Sequence, residues 1–259
     1  MPHADLAHVR LNYRVDGPPH APWLTLSNSL GTDLDMWAPQ VPALIERFRV
    51  LRYDVRGHGA SSAPPPPYSI ATLANDVVAL LDLVGVERTH FCGLSMGGMT
   101  GIRLALASPD RIDRLVLAST GAQIGSADAW NARISAVHTT GLASIADTIM
   151  ERWFTRAFRE ANPREMARFK DVLVKCAPDG YAACCAAVRD YDARPELAAI
   201  RAPTLAIAGT HDPGTPPSSL RAIVERVQGA RFVELDASHL SNVEQPTDFL
   251  AALIGHLDA

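Results

Sequence analysis

The chain has 259 residues, of which 47% are hydrophobic and 20% charged, and a formal net charge of -4 at neutral pH. This length can bury one sizeable core, and a single α/β domain with an insertion fits it. So mild an acidic balance excludes polybasic binding to nucleic acid or a membrane surface, and no run approaches the roughly 18 continuous apolar residues of a membrane span.

The first residues, Met1-Pro2-His3-Ala4-Asp5, lack the basic-then-apolar pattern of a secretory leader. The four cysteines, Cys92, Cys176, Cys184 and Cys185, lack metal-ligand spacing, and the adjacent pair reads as helix packing rather than a disulfide framework. The expected compartment is the cytoplasm. The sequence leaves homo-oligomerisation open.

Residues 8–15 alternate as a half-exposed strand should, and Asp16-Gly17-Pro18-Pro19 ends the run. A second strand, 23–28, leads into the loop Ser29-Leu30-Gly31-Thr32-Asp33. The spacing of Trp37, Val41, Leu44, Ile45 and Phe48 predicts a helix over 35–48, followed by a strand over 48–54. Pro64-Pro65-Pro66-Pro67 makes a stiff surface connection, too short to link independent domains. Ile70, Leu73, Val77, Leu80, Leu81 and Val84 mark an amphipathic helix, which leads to a buried strand ending at Gly93.

Strand 114–119 follows a further helix. From about Gly121 to Pro195 the pattern is helical only, over 129–138, 145–154, 164–176 and 181–191. Alternation then resumes with a strand at 204–208, a helix at 220–227, a strand at 231–235 and a last helix at 247–257. Strands alternating with helices predict a mostly parallel twisted sheet covered on both faces. The expected division is a core of 1–121 and 196–259 with a helical cap, 122–195, over the carboxyl edge of the sheet.

Gly93-Leu94-Ser95-Met96-Gly97 stands between a strand and a helix. Gly-x-Ser-x-Gly in that context is the nucleophile elbow of the α/β-hydrolases, a turn that exposes the serine hydroxyl beside a helix N-terminus. A Gly-Ser turn can also simply precede a helix, so the assignment depends on a base and an acid following in the order serine, acid, histidine. Asp212 lies just after the strand at 204–208 and is the candidate acid; an Asp before Pro is also a common turn former. Asp190 and Asp192 precede that strand, and Asp236 is too near the histidine loop. His239, after the last strand, is the candidate base. His211 falls in the acid's loop, and His58 in Arg56-Gly57-His58-Gly59 reads as a structural hydrogen bonder. The N–H groups of Met96 and Leu30 are the expected oxyanion donors.

The chain resembles the 3-oxoadipate enol-lactonases, α/β-hydrolases of the β-ketoadipate route for aromatic breakdown. Five segments carry the resemblance: 27–34 around Asn28-Ser29-Leu30-Gly31; 52–59 with Arg56-Gly57-His58-Gly59; the elbow at 91–99; Trp130-Asn131-Ala132-Arg133; and Ser238-His239-Leu240-Ser241-Asn242-Val243-Glu244-Gln245. The similarity covers nearly the whole length. It implies hydrolysis of a small anionic enol-lactone with neither metal nor cofactor.

Trp130 and Arg133 share a helical face. By position they read as packing and a solvated charge; the resemblance makes them the partners of the substrate's carboxylate. A general carboxylesterase or a cofactor-free perhydrolase would use the same triad. A non-catalytic ligand receptor on this fold would have no need of it. Haloalkane dehalogenases and epoxide hydrolases carry an aspartate where Ser95 stands.

Overall fold

The structure, a computed structural model, describes residues 3–259. Met1 and Pro2, the start of the segment read as lacking a leader, lie outside the described residues. Eight strands form one sheet: β1 (His3–Leu6), β2 (Val9–Asp16), β3 (Trp23–Ser27), β4 (Arg49–Tyr53), β5 (Thr89–Leu94), β6 (Ile112–Ala118), β7 (Thr204–Gly209) and β8 (Arg231–Leu235). Their order is β1-β2-β4-β3-β5-β6-β7-β8, with β2 antiparallel to both of its neighbours and every other pair parallel. Every residue of β5 and β7 is buried, which is why these strands read as continuous rather than alternating runs.

The helices are α1 (Val41–Leu44), α2 (Ile70–Leu83), α3 (Met96–Ala107), α4 (Ala127–Thr140), α5 (Ala146–Trp153), α6 (Arg156–Ala161), α7 (Pro163–Val174), α8 (Pro178–Arg189), α9 (Pro217–Val224), α10 (Ser241–Glu244) and α11 (Pro246–Leu257). Among the described residues no helix is long and apolar enough to cross a membrane. The helix α2 shows how local sequence sets an element. Ser69 caps it by accepting from the Thr72 N–H, and its stripe of Leu73, Val77, Leu80 and Leu81 is buried.

Three expectations need correction. The single helix over 35–48 is instead a 3-10 turn, Leu34–Trp37, and the short α1. The apolar face still points inward, but Pro39 and Pro42 lack the N–H donors that an unbroken helix needs. Strand β1 was not expected; it is four residues long, and its turn at Ala7-His8 lacks the Asn-Gly type of hairpin signal. The helical stretch read as beginning at 164 is preceded by a separate helix, α6, which Thr155 caps by accepting from the Phe158 N–H.

The topology fixes where a site can form. From β3 the chain passes to β4 on one side and then crosses to β5 on the other, so the loops after β3 and β5 diverge from a switch point at the carboxyl edge. Ser27 at the end of β3 pairs in register with Gly93 of the elbow, which brings Asn28-Ser29-Leu30 beside Ser95. Helices α4–α8 all lie between β6 and β7. Helix α8 seats directly on the turn after β4: the Ala177 N–H donates to the Gly57 carbonyl at 3.2 Å, and a Cβ on Gly57 would stand 2.7 Å from Gly180 Cα. Beneath that turn Arg56 grips Asp76 with two bonds of 2.6 Å and lies over the Tyr68 ring.

The elbow's packing has no slack at Gly97, where a Cβ would run into the Ser27 carbonyl, a backbone atom that cannot rotate away. Gly255 is the opposite case, exposed in the interior of α11 with open space at its Cβ position. Gly97→Ala is therefore expected to destabilise by roughly 1–3 kcal/mol or more. Gly255→Ala is expected to stabilise by roughly 0.4–1 kcal/mol. Denaturant melts of both variants check the pair of signs.

Candidate active site

Ser95 stands between β5 and α3 with φ 59° and ψ -116°, a conformation that costs a non-glycine residue roughly 1–3 kcal/mol. Its neighbours hold it there. The Ser95 N–H donates to the Ala118 carbonyl at 2.9 Å, and the Ser95 carbonyl accepts from Thr120 Oγ1 at 2.7 Å and from the Met99 N–H at 3.0 Å. Ser95 borders a cavity of about 290 Å³ that lies between the sheet edge and the helices α4, α5 and α8.

Asp212 and His239 reach the same cavity from the loops after β7 and β8. Asp212 is buried, and both its oxygens are fully used. Oδ1 accepts from the N–H groups of Gly214 at 2.8 Å and Thr215 at 3.0 Å. Oδ2 accepts from Thr215 Oγ1 at 2.6 Å and from His239 Nδ1 at 2.7 Å. Burial pushes this carboxyl up, but the charge and hydrogen bond of His239 and the two Thr215 donors outweigh it, leaving the group below its ordinary range. An ionised carboxylate only accepts, so the proton of this contact sits on Nδ1, and Nε2 is the ring nitrogen that Asp212 does not engage.

The rivals lie elsewhere. His211 and Asp236 pair with each other at 2.8 Å in an exposed contact. Asp190 binds Arg189, and Asp192 binds Arg194, both at the surface. His58 is buried with Nδ1 3.1 Å from the Arg56 carbonyl, and burial lowers it to about 4, so it stays neutral.

Leu30 and Ser29 line the cavity next to Ser95. Their loop is set by Trp37 Nε1 donating to Asn28 Oδ1, by Asn28 Nδ2 donating to the Tyr53 carbonyl, and by Thr32 Oγ1 donating to the Ser29 carbonyl. The Met96 side chain is buried in the core, so only its backbone is on offer. As the first residue of α3, its N–H has no intrahelical acceptor.

Trp130 and Arg133 of α4 also border the cavity. Trp130 Nε1 donates to the Ile124 carbonyl at 2.7 Å, and the Arg133 guanidinium lies 4.8 Å from the centroid of the Trp130 ring. The cavity thus has Ser95, Asp212 and His239 towards the sheet and the guanidinium groups of Arg133 and Arg152, from α4 and α5, on the insertion. Arg189 takes no part; it binds Asn131 and Asp190 at the surface.

Thr215 and Tyr181, which the sequence did not single out, also line the cavity. Asp-Pro-Gly-Thr, an Asp followed by turn formers, is the signal that could have exposed Thr215. No comparable local signal marks Tyr181, which arrives by the packing of α8.

Comparison with known proteins agrees with this fold. The profile of the α/β hydrolase fold family matches residues 22–246. The chain is 44% identical to 3-oxoadipate enol-lactonase 2 of Acinetobacter baylyi, covering 93% of this chain and 90% of that protein. It is 40% identical to 3-oxoadipate enol-lactonase 1 of the same organism, over 95% and 92%. The crystal structure of the enol-lactonase from Burkholderia xenovorans LB400 superposes with a TM-score of 0.98 at 47% identity, covering all of both chains. With this sheet order, an elbow serine at its carboxyl edge and relatives of that identity over nearly full length, the chain belongs with the enol-lactonases in the α/β-hydrolase fold family and is a hydrolase.

Proposed function

We propose that this enzyme hydrolyses 3-oxoadipate enol-lactone to 3-oxoadipate through an acyl-enzyme on Ser95. The observation that carries the reading is a single cavity with Ser95, His239 and Asp212 at one end and Arg133, stacked on Trp130, along its wall. An ester hydrolase of neutral substrates has no use for a half-buried guanidinium there. A lactone bearing an acetate arm does, because a carboxylate leaving water needs a charge-assisted partner. The relatives' names point to the same substrate.

In the first half-reaction His239 Nε2 takes the Ser95 hydroxyl proton as Oγ adds to the lactone carbonyl. Asp212, ionised and fully hydrogen-bonded, holds the imidazole by Nδ1 and stabilises the imidazolium. The N–H groups of Met96 and Leu30 donate to the developing oxyanion. The bond from the carbonyl carbon to the ring oxygen then breaks. The leaving enolate takes the proton from His239 and settles as the ketone.

In the second half-reaction water gives its proton to His239 and attacks the acyl carbon. Ser95 leaves with the proton returned, and the product carries a second carboxylate. Helices α4–α8 act as a cap, with 122–195 as its extent and 1–121 with 196–259 as the core. Four unpaired, buried thiols suit a reducing cytoplasm.

Ser95→Ala and His239→Ala are each expected to lower kcat by roughly 10⁴- to 10⁶-fold, and the double variant little further, because the residues act as one unit. Asp212→Asn should cost on the order of 10³- to 10⁴-fold while Asp190→Asn and Asp236→Asn are nearly silent. Steady-state rates of lactone loss, followed spectrophotometrically, check all six variants. Additive losses for Ser95 and His239 would overturn the acyl-enzyme route.

Arg133→Met keeps the length and apolar stem of the side chain but removes the fork of donors. The expected result is a roughly ten- to hundredfold loss in kcat/KM towards the anionic lactone and little change towards a neutral short ester. Equal losses on both substrates would make Arg133 a structural residue of the cap. No loss on either would make Arg133 a solvated charge and turn the search for the carboxylate's partner to Arg152, which also lines the cavity. A melting curve of the variant excludes cap unfolding.

A further inference from the structure

The segment after His239 is tied to the insertion by a group that the mechanism above does not use. Glu244 ends α10, five residues beyond His239, and its carboxylate reaches back to two separate backbones. Oε2 accepts from the Ser238 N–H at 2.9 Å, the residue just before His239. Oε1 accepts from the Thr155 hydroxyl and from the Thr155 N–H at 3.2 Å, and the N–H also stands 3.4 Å from Oε2. Thr155 caps α6 immediately after α5, whose last turn supplies Arg152 and Trp153 to the cavity wall.

Two further bonds cross the same seam. Ser238 Oγ donates to the Arg152 carbonyl at 2.9 Å, and the Leu240 N–H donates to the Trp153 carbonyl at 3.0 Å. Both residues flanking His239 in sequence are therefore pinned to the insertion. Below, the Ala237 carbonyl accepts from the His211 N–H at 2.9 Å, and the Ser238 carbonyl lies so close to Gly209 that no Cβ fits between them.

We propose that Glu244 is a positioning residue, a carboxylate clip that fixes the His239 backbone against the α5–α6 junction so that the imidazole meets Ser95 at the right place. Asp212 holds the ring by one nitrogen, which leaves the ring free to swing about that contact unless its backbone is also held. Only an ionised carboxylate can satisfy all the donors at once, since each oxygen accepts and neither donates. An amide in its place sets an NH₂ group against the N–H of either Ser238 or Thr155. The clip also joins the wall that reads the substrate to the loop that carries the base.

This inference rests on His239 being the general base. The test is Glu244→Gln, nearly isosteric, measured with the anionic enol-lactone, with a neutral aryl acetate, and with a serine-reactive fluorophosphonate. Expected is a roughly 10- to 100-fold lower kcat on both substrates with KM nearly unchanged, since small misplacements of a catalytic group cost that much. The rate of phosphonylation at Ser95 should fall by the same factor, while the final number of labelled sites stays the same. In a His239→Ala background the substitution should cost nothing further.

Thr155→Val removes the hydroxyl that both donates to Glu244 and caps α6; with a melting curve to measure the lost cap, it should show the same pattern at roughly fivefold and carries the test if Glu244→Gln fails to fold. Unchanged rates in both variants would overturn the clip. So would an equal loss in both backgrounds or fewer labelled sites, which mark a folding effect. A crippled His239→Ala beside an unimpaired Glu244→Gln sinks the clip alone, whereas a fully active His239→Ala sinks the triad reading and the clip with it.

Discussion

Ser95 occupies a backbone conformation that nothing in its own chemistry favours, and the centre of the molecule is built to hold it there. A serine at φ 59° is strained, so the state persists only because its surroundings over-determine it. Its N–H and carbonyl are pinned to β6 and to the residues just beyond it. Gly97 lets α3 start against the end of β3, and a Cβ at Gly93 would meet the Gly97 backbone. The close approach has a second effect. Because α3 begins hard against β3, the loop that follows β3 emerges beside the serine, and the N–H groups of Leu30 and Met96 come from neighbouring backbones. Strain at Ser95 and the closeness of these two backbones thus share one cause.

The same logic of full satisfaction governs the buried acids. Asp54 accepts from the Leu34 N–H, from Asn12 Nδ2 and from the Ala60 N–H, which ties the hairpin, the loop after β3 and the turn after β4 together. Asp76 is met by the two-pronged grip of Arg56. In both, burial still wins and the carboxyl is held above its usual range. Asp212 is also buried, yet its balance falls the other way because His239 adds charge to the backbone and hydroxyl donors of Thr215. What sets Asp212 apart from Asp54 and Asp76 is the histidine it faces rather than its depth.

The fold was legible because its signals are local and periodic. The run of β5, the Gly-x-Ser-x-Gly turn and the amphipathic stripe of α2 each lie within about a dozen residues. The order of serine, aspartate and histidine along the chain then located two more residues that come together only in the sheet. Reading failed where a short element had no period to show, as in β1 and α6. It also failed where prolines broke a stripe that still faced the core, as at Pro39 and Pro42. Thr215 and Tyr181 were missed for another reason: a hydroxyl serving an aspartate three residues away, and a ring delivered by a packed helix, carry no signature of their own. Glu244 sat in plain view within the segment that carried the resemblance. Its role depends on Thr155, 89 residues earlier, and no spacing rule spans that gap.

The insertion is therefore more than a roof. One wall of the cavity is anchored on the turn after β4 through the Gly57–Gly180 contact, and the opposite wall is sewn to the segment 238–244 through Arg152, Trp153 and Thr155. A shift of α5 relative to the sheet must break bonds to both residues that flank His239. A seam of this kind resists widening of the cavity, because a move of α5 away from the sheet would pull on the backbone on both sides of His239. It also sets a limit on variation: residues that face the cavity from α4, such as Trp130 and Arg133, can change without touching the seam, whereas changes at the C-terminal end of α5 act on the cavity wall and on the backbone around His239 together.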